Sequence, residues 1–225
     1  MTPLHRHQLA RLRDAGWRTL LAGDWDPVAR ACLAHWAAAR LPLVVTRQAD
    51  PKDEDRISLG LPAPGRWGRR RLALSVARSE VAYFDEFPLL HHAGRRLPAP
   101  ARPAWRTLCQ GLQAVGANAR VYGSYGWELL SGLDHVRPGS DIDLWLSVTD
   151  MEQADAAAAC LQGFAYRGLR LDGELMFVDG GAVAWREWVN WRSGRVKSLL
   201  VKATDGNSLL QSPARWSATT FAQAA

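Results

Sequence analysis

Gly123-Ser124-Tyr125-Gly126-Trp127-Glu128-Leu129-Leu130, followed by Ser140-Asp141-Ile142-Asp143-Leu144, is the most informative segment of the chain. Arg120–Gly123 reads as a short strand that turns at Ser124 into a helix through Trp127 and Leu130. Asp141–Val148 (DIDLWLSV) reads as a strand. Residues two apart in a strand share a face, so Asp141 and Asp143 project together while Ile142, Leu144 and Leu146 face an apolar core. With a helix and three strands read over residues 1–87, a small α+β unit there is the simplest reading.

Upstream of this stretch, Trp105, Leu108, Leu112 and Val115 make one apolar helical stripe. Downstream, Thr149-Asp150-Met151-Glu152 fits a capping box ahead of an alanine-rich helix up to Cys160. Leu169–Leu171 and Glu174–Val178 flank Asp172-Gly173, a hairpin turn signal. Ala182–Val189 and Val196–Ala203 read as two further strands, and the small, polar residues after Ser212 as a frayed tail. The Pro-, Arg- and Gly-rich segment from Pro88 to Pro103 reads as a linker that exposes His91 and His92. Before it, residues 1–25 form an irregular or helical start, and Asp26-Pro27 opens a helix with Val28, Cys32 and Trp36 at helical spacing. Leu41–Thr46, Ile57–Leu61 and Leu72–Val76 are strands. The division is an N-terminal α+β domain over 1–87, a linker over 88–103 and a catalytic domain over 104–225.

Composition bounds the function classes. The chain has 225 residues, 48% hydrophobic and 22% charged, as an ordinary globular protein has. A net charge of +6 and a pI near 9.7 favour polyanionic partners such as polyphosphate, nucleic acid or an acidic protein. Cys32, Cys109 and Cys160 show no CxxC spacing and read as reduced thiols. No apolar run reaches the ~18 residues of a membrane span, and no signal peptide opens the chain, so a cytoplasmic protein with no membrane partner is expected.

The chemistry concentrates at the Gly-Ser turn and the Asp-x-Asp strand. A strand ending in Gly123-Ser124 before a helix offers backbone N–H groups, a hydroxyl and a helix N-terminus to an anion. Asp141 and Asp143 on one face repel each other unless a cation lies between them. Mg²⁺ suits such a pair because it takes oxygen ligands and shares them with substrate phosphates. The competing reading is two surface acids at a strand entrance. Glu187 falls on the apolar side of the expected strand Ala182–Val189, where a carboxylate is costly unless it is paired or bound to metal, and is the candidate third acid. Glu174 is a weaker candidate. Arg69 and Arg70, in Arg66–Arg71 (RWGRRR), and Lys202 are candidate phosphate-binding groups; a solvated basic turn and an exposed strand lysine are the alternatives. Trp127 and Trp145 adjoin the motif residues and are candidates for stacking on a base.

These motifs resemble the nucleotidyltransferase superfamily that uses two metal ions. The separation of Ser124 from Asp141 is longer than in many of its members, which lowers the match to polymerase-like and antibiotic-adenylating branches. The closer resemblance is to the phosphoribosyl-dephospho-CoA transferase of malonate decarboxylase, also called malonate decarboxylase holo-acyl-carrier-protein synthase. Ile57–Leu61 with the arginine-rich stretch after it, VYGSYGWELLSGL, GSDIDLWL, GGAVAWREW and LLVKAT carry it through most of the chain. It implies a C-terminal nucleotidyltransferase-like mixed sheet flanked by helices, with a smaller N-terminal α+β domain. It also implies transfer of a prosthetic group from 2′-(5″-triphosphoribosyl)-3′-dephospho-CoA to a serine of the apo acyl carrier subunit, with release of pyrophosphate. Asp141, Asp143 and Glu187 would then be catalytic and would hold Mg²⁺, while Gly123 and Ser124 hold the outgoing pyrophosphate. An ATP-dependent nucleotidyltransferase is the rival enzyme. A basic nucleic-acid-binding module is the rival binding protein, disfavoured because the positive residues are scattered, so no nucleic-acid partner is expected.

Overall fold

The computed structural model describes residues 4–50, 53, 55–212 and 216. In chain order the elements are β1 (Leu9–Leu12), α1 (Asp14–Leu21), α2 (Pro27–Ala38), β2 (Leu43–Val45), β3 (Arg56–Pro62), β4 (Arg71–Ala77) and β5 (Val81–Asp85). The second half follows with α3 (Arg102–Ala114), β6 (Asn118–Tyr122), α4 (Gly123–Ser131), β7 (Ile142–Val148), α5 (Met151–Gln162), β8 (Leu171–Phe177), β9 (Ala182–Ala184), α6 (Trp185–Arg192), β10 (Leu199–Lys202) and β11 (Asn207–Leu210).

The first five strands form an antiparallel sheet in the order β4-β3-β2-β1-β5. Alternation dictates its buried side: Ile57, Leu59 and Leu61 on β3 and Leu72, Leu74 and Val76 on β4 are inward. Helix α2 starts as the sequence predicts, with the Asp26 carboxylate accepting the backbone N–H groups of Val28 and Ala29 and proline at the first turn. Cys32 and Trp36 pack into this core, but Val28 is exposed. Residues 9–12 are a strand rather than part of an irregular start, because Leu9 and Ala10 pair with β2 and β5 at the sheet's interior.

The second sheet runs β11-β10-β9-β8-β7-β6 and is mixed: β7 and β8 are parallel, and the other pairs are antiparallel. Its back face is apolar and covered by helices. Ile142, Leu144, Leu146 and Val148 meet Trp105, Leu108 and Leu112 of α3, the alanines of α5, and Trp185 and Trp188 of α6. The α+β architecture with a mixed, helix-flanked sheet is what the sequence reading expects.

Four local readings are corrected. Residues 88–103 are not a free tether: 3-10 turns fold them so that Leu90, Ala93, Leu97 and Ala101 are buried in the second core, while His91 and His92 stay exposed. Asp172-Gly173 is not a hairpin turn but lies inside β8. Gly173 adopts φ 141°, and a β-carbon there would stand 1.8 Å from the Leu144 carbonyl oxygen of the paired strand. Ala182–Val189 is a strand only to Ala184; Trp185 and Trp188, three apart, bury one side of a helix instead. The cap of α5 is shifted by one residue. Asp150 accepts the Gln153 N–H, and Gln153 Oε1 accepts the Thr149 N–H at 2.7 Å. Most of the tail expected to fray lies outside the described residues. Trp216 within it is buried, its ring stacked on Phe177 at 3.9 Å.

Helix α4 joins the two cores. Tyr125 belongs to the second, whereas Trp127 enters the first, 5.3 Å from Phe87 and 6.3 Å from Trp36 between ring centroids. The Gly-Ser turn at its start is thereby fixed relative to both sheets.

Candidate active site

The front face of the second sheet carries the polar residues that alternate with the core. Tyr122 of β6, Asp143 of β7 and Asp172 of β8 are paired across three neighbouring strands. One step further on the same face come Trp145 and Glu174. Asp141 lies just before β7, and Arg170 just before β8 donates to both of its oxygens, the Nε contact being 2.8 Å.

Gly123 brings the turn and the strand together. It begins α4 with φ 59°, and a β-carbon on it would lie 1.8 Å from Asp143 Oδ2. Only a residue without a side chain lets that carboxylate press against the turn. Ser124 follows in the first turn of the same helix, partly exposed. The bend and the Asp-x-Asp strand, distant in sequence, are in contact in space.

The electrostatics of the two aspartates differ. Burial first, then the charges of Asp172 and Asp141, push the Asp143 carboxyl up to about 6. The Arg170 hydrogen bonds hold Asp141 below the usual carboxylate range. Burial and the nearby Glu174, Asp143 and Asp172 drive the Tyr122 phenol far up, so it is a neutral hydroxyl. Negative charge accumulates around Asp143, and a divalent cation there would relieve it. Among the described residues no group of three or more His, Cys, Asp and Glu side chains is arranged to hold a metal. Mg²⁺ keeps several waters and binds through one or two carboxylates plus substrate phosphates, a mode that the adjacent Asp143 and Asp172 fit.

Other expected site residues fall elsewhere. Glu187 is exposed in the first turn of α6, so the argument from burial on a strand does not hold. The acids that act on Asp143 are Asp172, Asp141 and Glu174. Arg70 pairs with Asp26 at 2.6 Å, and Arg69 donates to the His135 carbonyl at 3.3 Å. Both arginines serve the first domain and its contact with the loop between the two motifs. That loop is also held from below: Glu128 of α4 accepts the backbone N–H groups of His135 and Val136. The His135 ring is buried among Trp36 and Trp127, and desolvation lowers its pKa to about 4. Trp127 and Trp145 are buried. Lys202 does reach the front face, where its Nζ meets Glu174 Oε1 at 3.0 Å.

Among the residues of this face absent from the sequence-based site are Asp172, Arg170 and Arg6. The alternation of Asp172 and Glu174 with buried Leu171 and Leu175 was the available signal for the first. Arg6 contacts Glu174 across 168 positions, and no local pattern announces it.

The mixed sheet thus gathers acids against a glycine turn, beside basic residues. Residues 88–213 match the family model described as the phosphoribosyl-dephospho-CoA transferase MdcG C-terminal domain, and residues 5–87 match the corresponding N-terminal domain. A phosphoribosyl-dephospho-CoA transferase from Bradyrhizobium diazoefficiens is 40% identical over 214 residues, covering 92% of this chain and 90% of the relative. One from Xanthomonas axonopodis pv. citri is 35% identical over 207 residues, covering 91% and 93%. One from Pseudomonas aeruginosa is 34% identical over 193 residues, covering 80% and 84%. No solved structure matches. The chain belongs to the phosphoribosyl-dephospho-CoA transferase family. Among its described residues no helix is long and apolar enough to cross a membrane.

Proposed function

We propose that this chain transfers the phosphoribosyl-dephospho-CoA group from 2′-(5″-triphosphoribosyl)-3′-dephospho-CoA to a serine of the apo acyl carrier subunit of malonate decarboxylase, releasing pyrophosphate. The observation that carries the reading is the Asp143 carboxylate seated on the Gly123 backbone with Asp172 and Asp141 beside it. A triphosphate laid on the Gly123-Ser124 turn meets backbone N–H groups, the Ser124 hydroxyl and the positive end of α4. Its α-phosphorus then sits next to the acid cluster.

The carrier serine Oγ forms the new bond to the α-phosphorus as the bond from that phosphorus to the oxygen leading to the β-phosphate breaks. The pyrophosphate leaves from the turn, and the serine proton passes to a carboxylate of the cluster. Asp143 and Asp172 would hold Mg²⁺, which would supply neutralising charge to the triphosphate. Asp141, tied to Arg170, keeps the start of β7 in place and adds negative potential. Asp172 takes the third-acid position for which the sequence offers Glu187.

The test is incubation of the chain with Mg²⁺, the triphosphoribosyl donor and the apo carrier, followed by intact-mass measurement of the carrier. A gain equal to the phosphoribosyl-dephospho-CoA group supports the reading. An unmodified carrier, with modification by ATP instead, would replace it with the rival nucleotidyltransferase.

A further inference from the structure

His5, Arg6 and His7, just ahead of β1, lie across the front face of the second sheet. The His7 ring stacks on Tyr122 at 4.0 Å, and the His5 ring stands 5.7 Å from Trp145. His7 adopts φ 63°, a left-handed conformation that a histidine rarely takes and that persists only where its surroundings enforce it. Here the enforcing contact is polar as well as aromatic: His7 Nε2 lies 2.9 Å from Glu174 Oε2.

Glu174 is 5% exposed, and three basic side chains converge on its carboxylate. Arg6 donates through Nε at 3.2 Å and Nη2 at 3.3 Å, His7 touches the same group, and Lys202 donates from Nζ at 3.0 Å. One buried carboxylate requires one countercharge. Arg6 and Lys202 alone supply two, so the cluster carries surplus positive charge. Each also keeps N–H donors that Glu174 does not use, since arginine has five and lysine three. Their side chains are 26% and 29% exposed, enough for a ligand to reach them. The Trp145 Nε1 donor, buried on this face, has no partner among the described residues.

This basic cluster stands one strand-step from Asp143 and Asp172. The two together form a bipolar surface: acids that suit a cation next to fixed cations that suit an anion. A polyphosphate with its divalent cation has that same distribution of charge. We propose that Arg6 and Lys202, gathered on Glu174, form a phosphate seat for the polyphosphate of the donor, so that the N-terminal segment completes the active site. The proposal rests on the reading of this face as the site for a triphosphate donor.

The test is titration calorimetry of the full chain with inorganic tripolyphosphate in the absence of divalent cations. Wild type is expected to bind, with Arg6→Gln and Lys202→Gln each weakening binding about tenfold, the scale of one charge-assisted hydrogen bond. Arg6→Lys keeps the charge and is expected to retain most of the affinity, which a merely structural role for the guanidinium would not explain. Arg106→Gln, on α3 behind the sheet, is expected to bind as wild type does. Thermal melting checks that each variant is folded; should Arg6→Gln not fold, Lys202→Gln decides. Wild-type affinity in Arg6→Gln and Lys202→Gln, or a loss confined to Arg106→Gln, overturns the seat. The titration uses neither donor nor carrier, so it fails independently of the transfer assay.

Discussion

The two faces of β7 carry opposite chemistry: apolar side chains behind, carboxylates in front. On the back, Ile142, Leu144, Leu146 and Val148 are fully buried against helices, and their contribution is stability. On the front, Asp143 is pushed towards neutrality by burial and by Asp172 and Asp141, an arrangement that costs stability. One strand therefore holds one residue set that packs and another that carries strained charge. Mutations on the two faces are expected to separate folding from turnover.

The largest effect is expected at the junction of strand and turn. Gly123→Ala puts a methyl group where Asp143 Oδ2 now sits and strains a left-handed backbone. Transfer activity should fall about 100-fold or more, roughly 3 kcal/mol at the transition state, while circular dichroism reports a retained fold. Near-normal turnover would dissolve the link between the turn and the acid. Leu144→Ala, one residue from Asp143 but facing back, should do the reverse. It should lower unfolding free energy by about 3 kcal/mol in chemical denaturation and leave turnover per folded molecule nearly unchanged.

A pH scan of stability without divalent cations separates the two faces further. Burial and the neighbouring acids push the folded Asp143 carboxyl up to about 6 from an ordinary 3.8, so the folded state binds the extra proton between those values. Its contribution is present below the lower value and is lost as pH rises through the upper one, on the order of 2–3 kcal/mol. Asp143→Asn should remove this loss and melt higher than wild type above pH 6. Saturating Mg²⁺ should narrow the gap by stabilising wild type alone. A variant that melts lower than wild type at pH 7 would mean the aspartate is a structural group.

Much of this division is legible in the sequence, because β7 alternates cleanly and Gly-Ser before a helix has a physical meaning at a phosphate site. What is not legible follows from pairing. Asp172-Gly173 has the chemistry of a tight turn, but parallel pairing with β7 and close approach to Leu144 make glycine a strand residue, and this hid Asp172. Val183, Trp185, Glu187 and Val189 alternate like a strand, while the burial of Trp185 and Trp188 makes a helix, and this misassigned Glu187. Lys202 was visible as a late strand lysine, but its meaning depends on Arg6 and Glu174, brought together only by the fold.

The most direct measurement is the mass of the apo carrier after incubation with Mg²⁺, the triphosphoribosyl donor and either wild type or Asp143→Asn at equal folded concentration. Wild type should load the carrier fully, and the variant should leave it unloaded over the same period. A carrier loaded equally by both would show that the carboxylate against Gly123 takes no part in the chemistry.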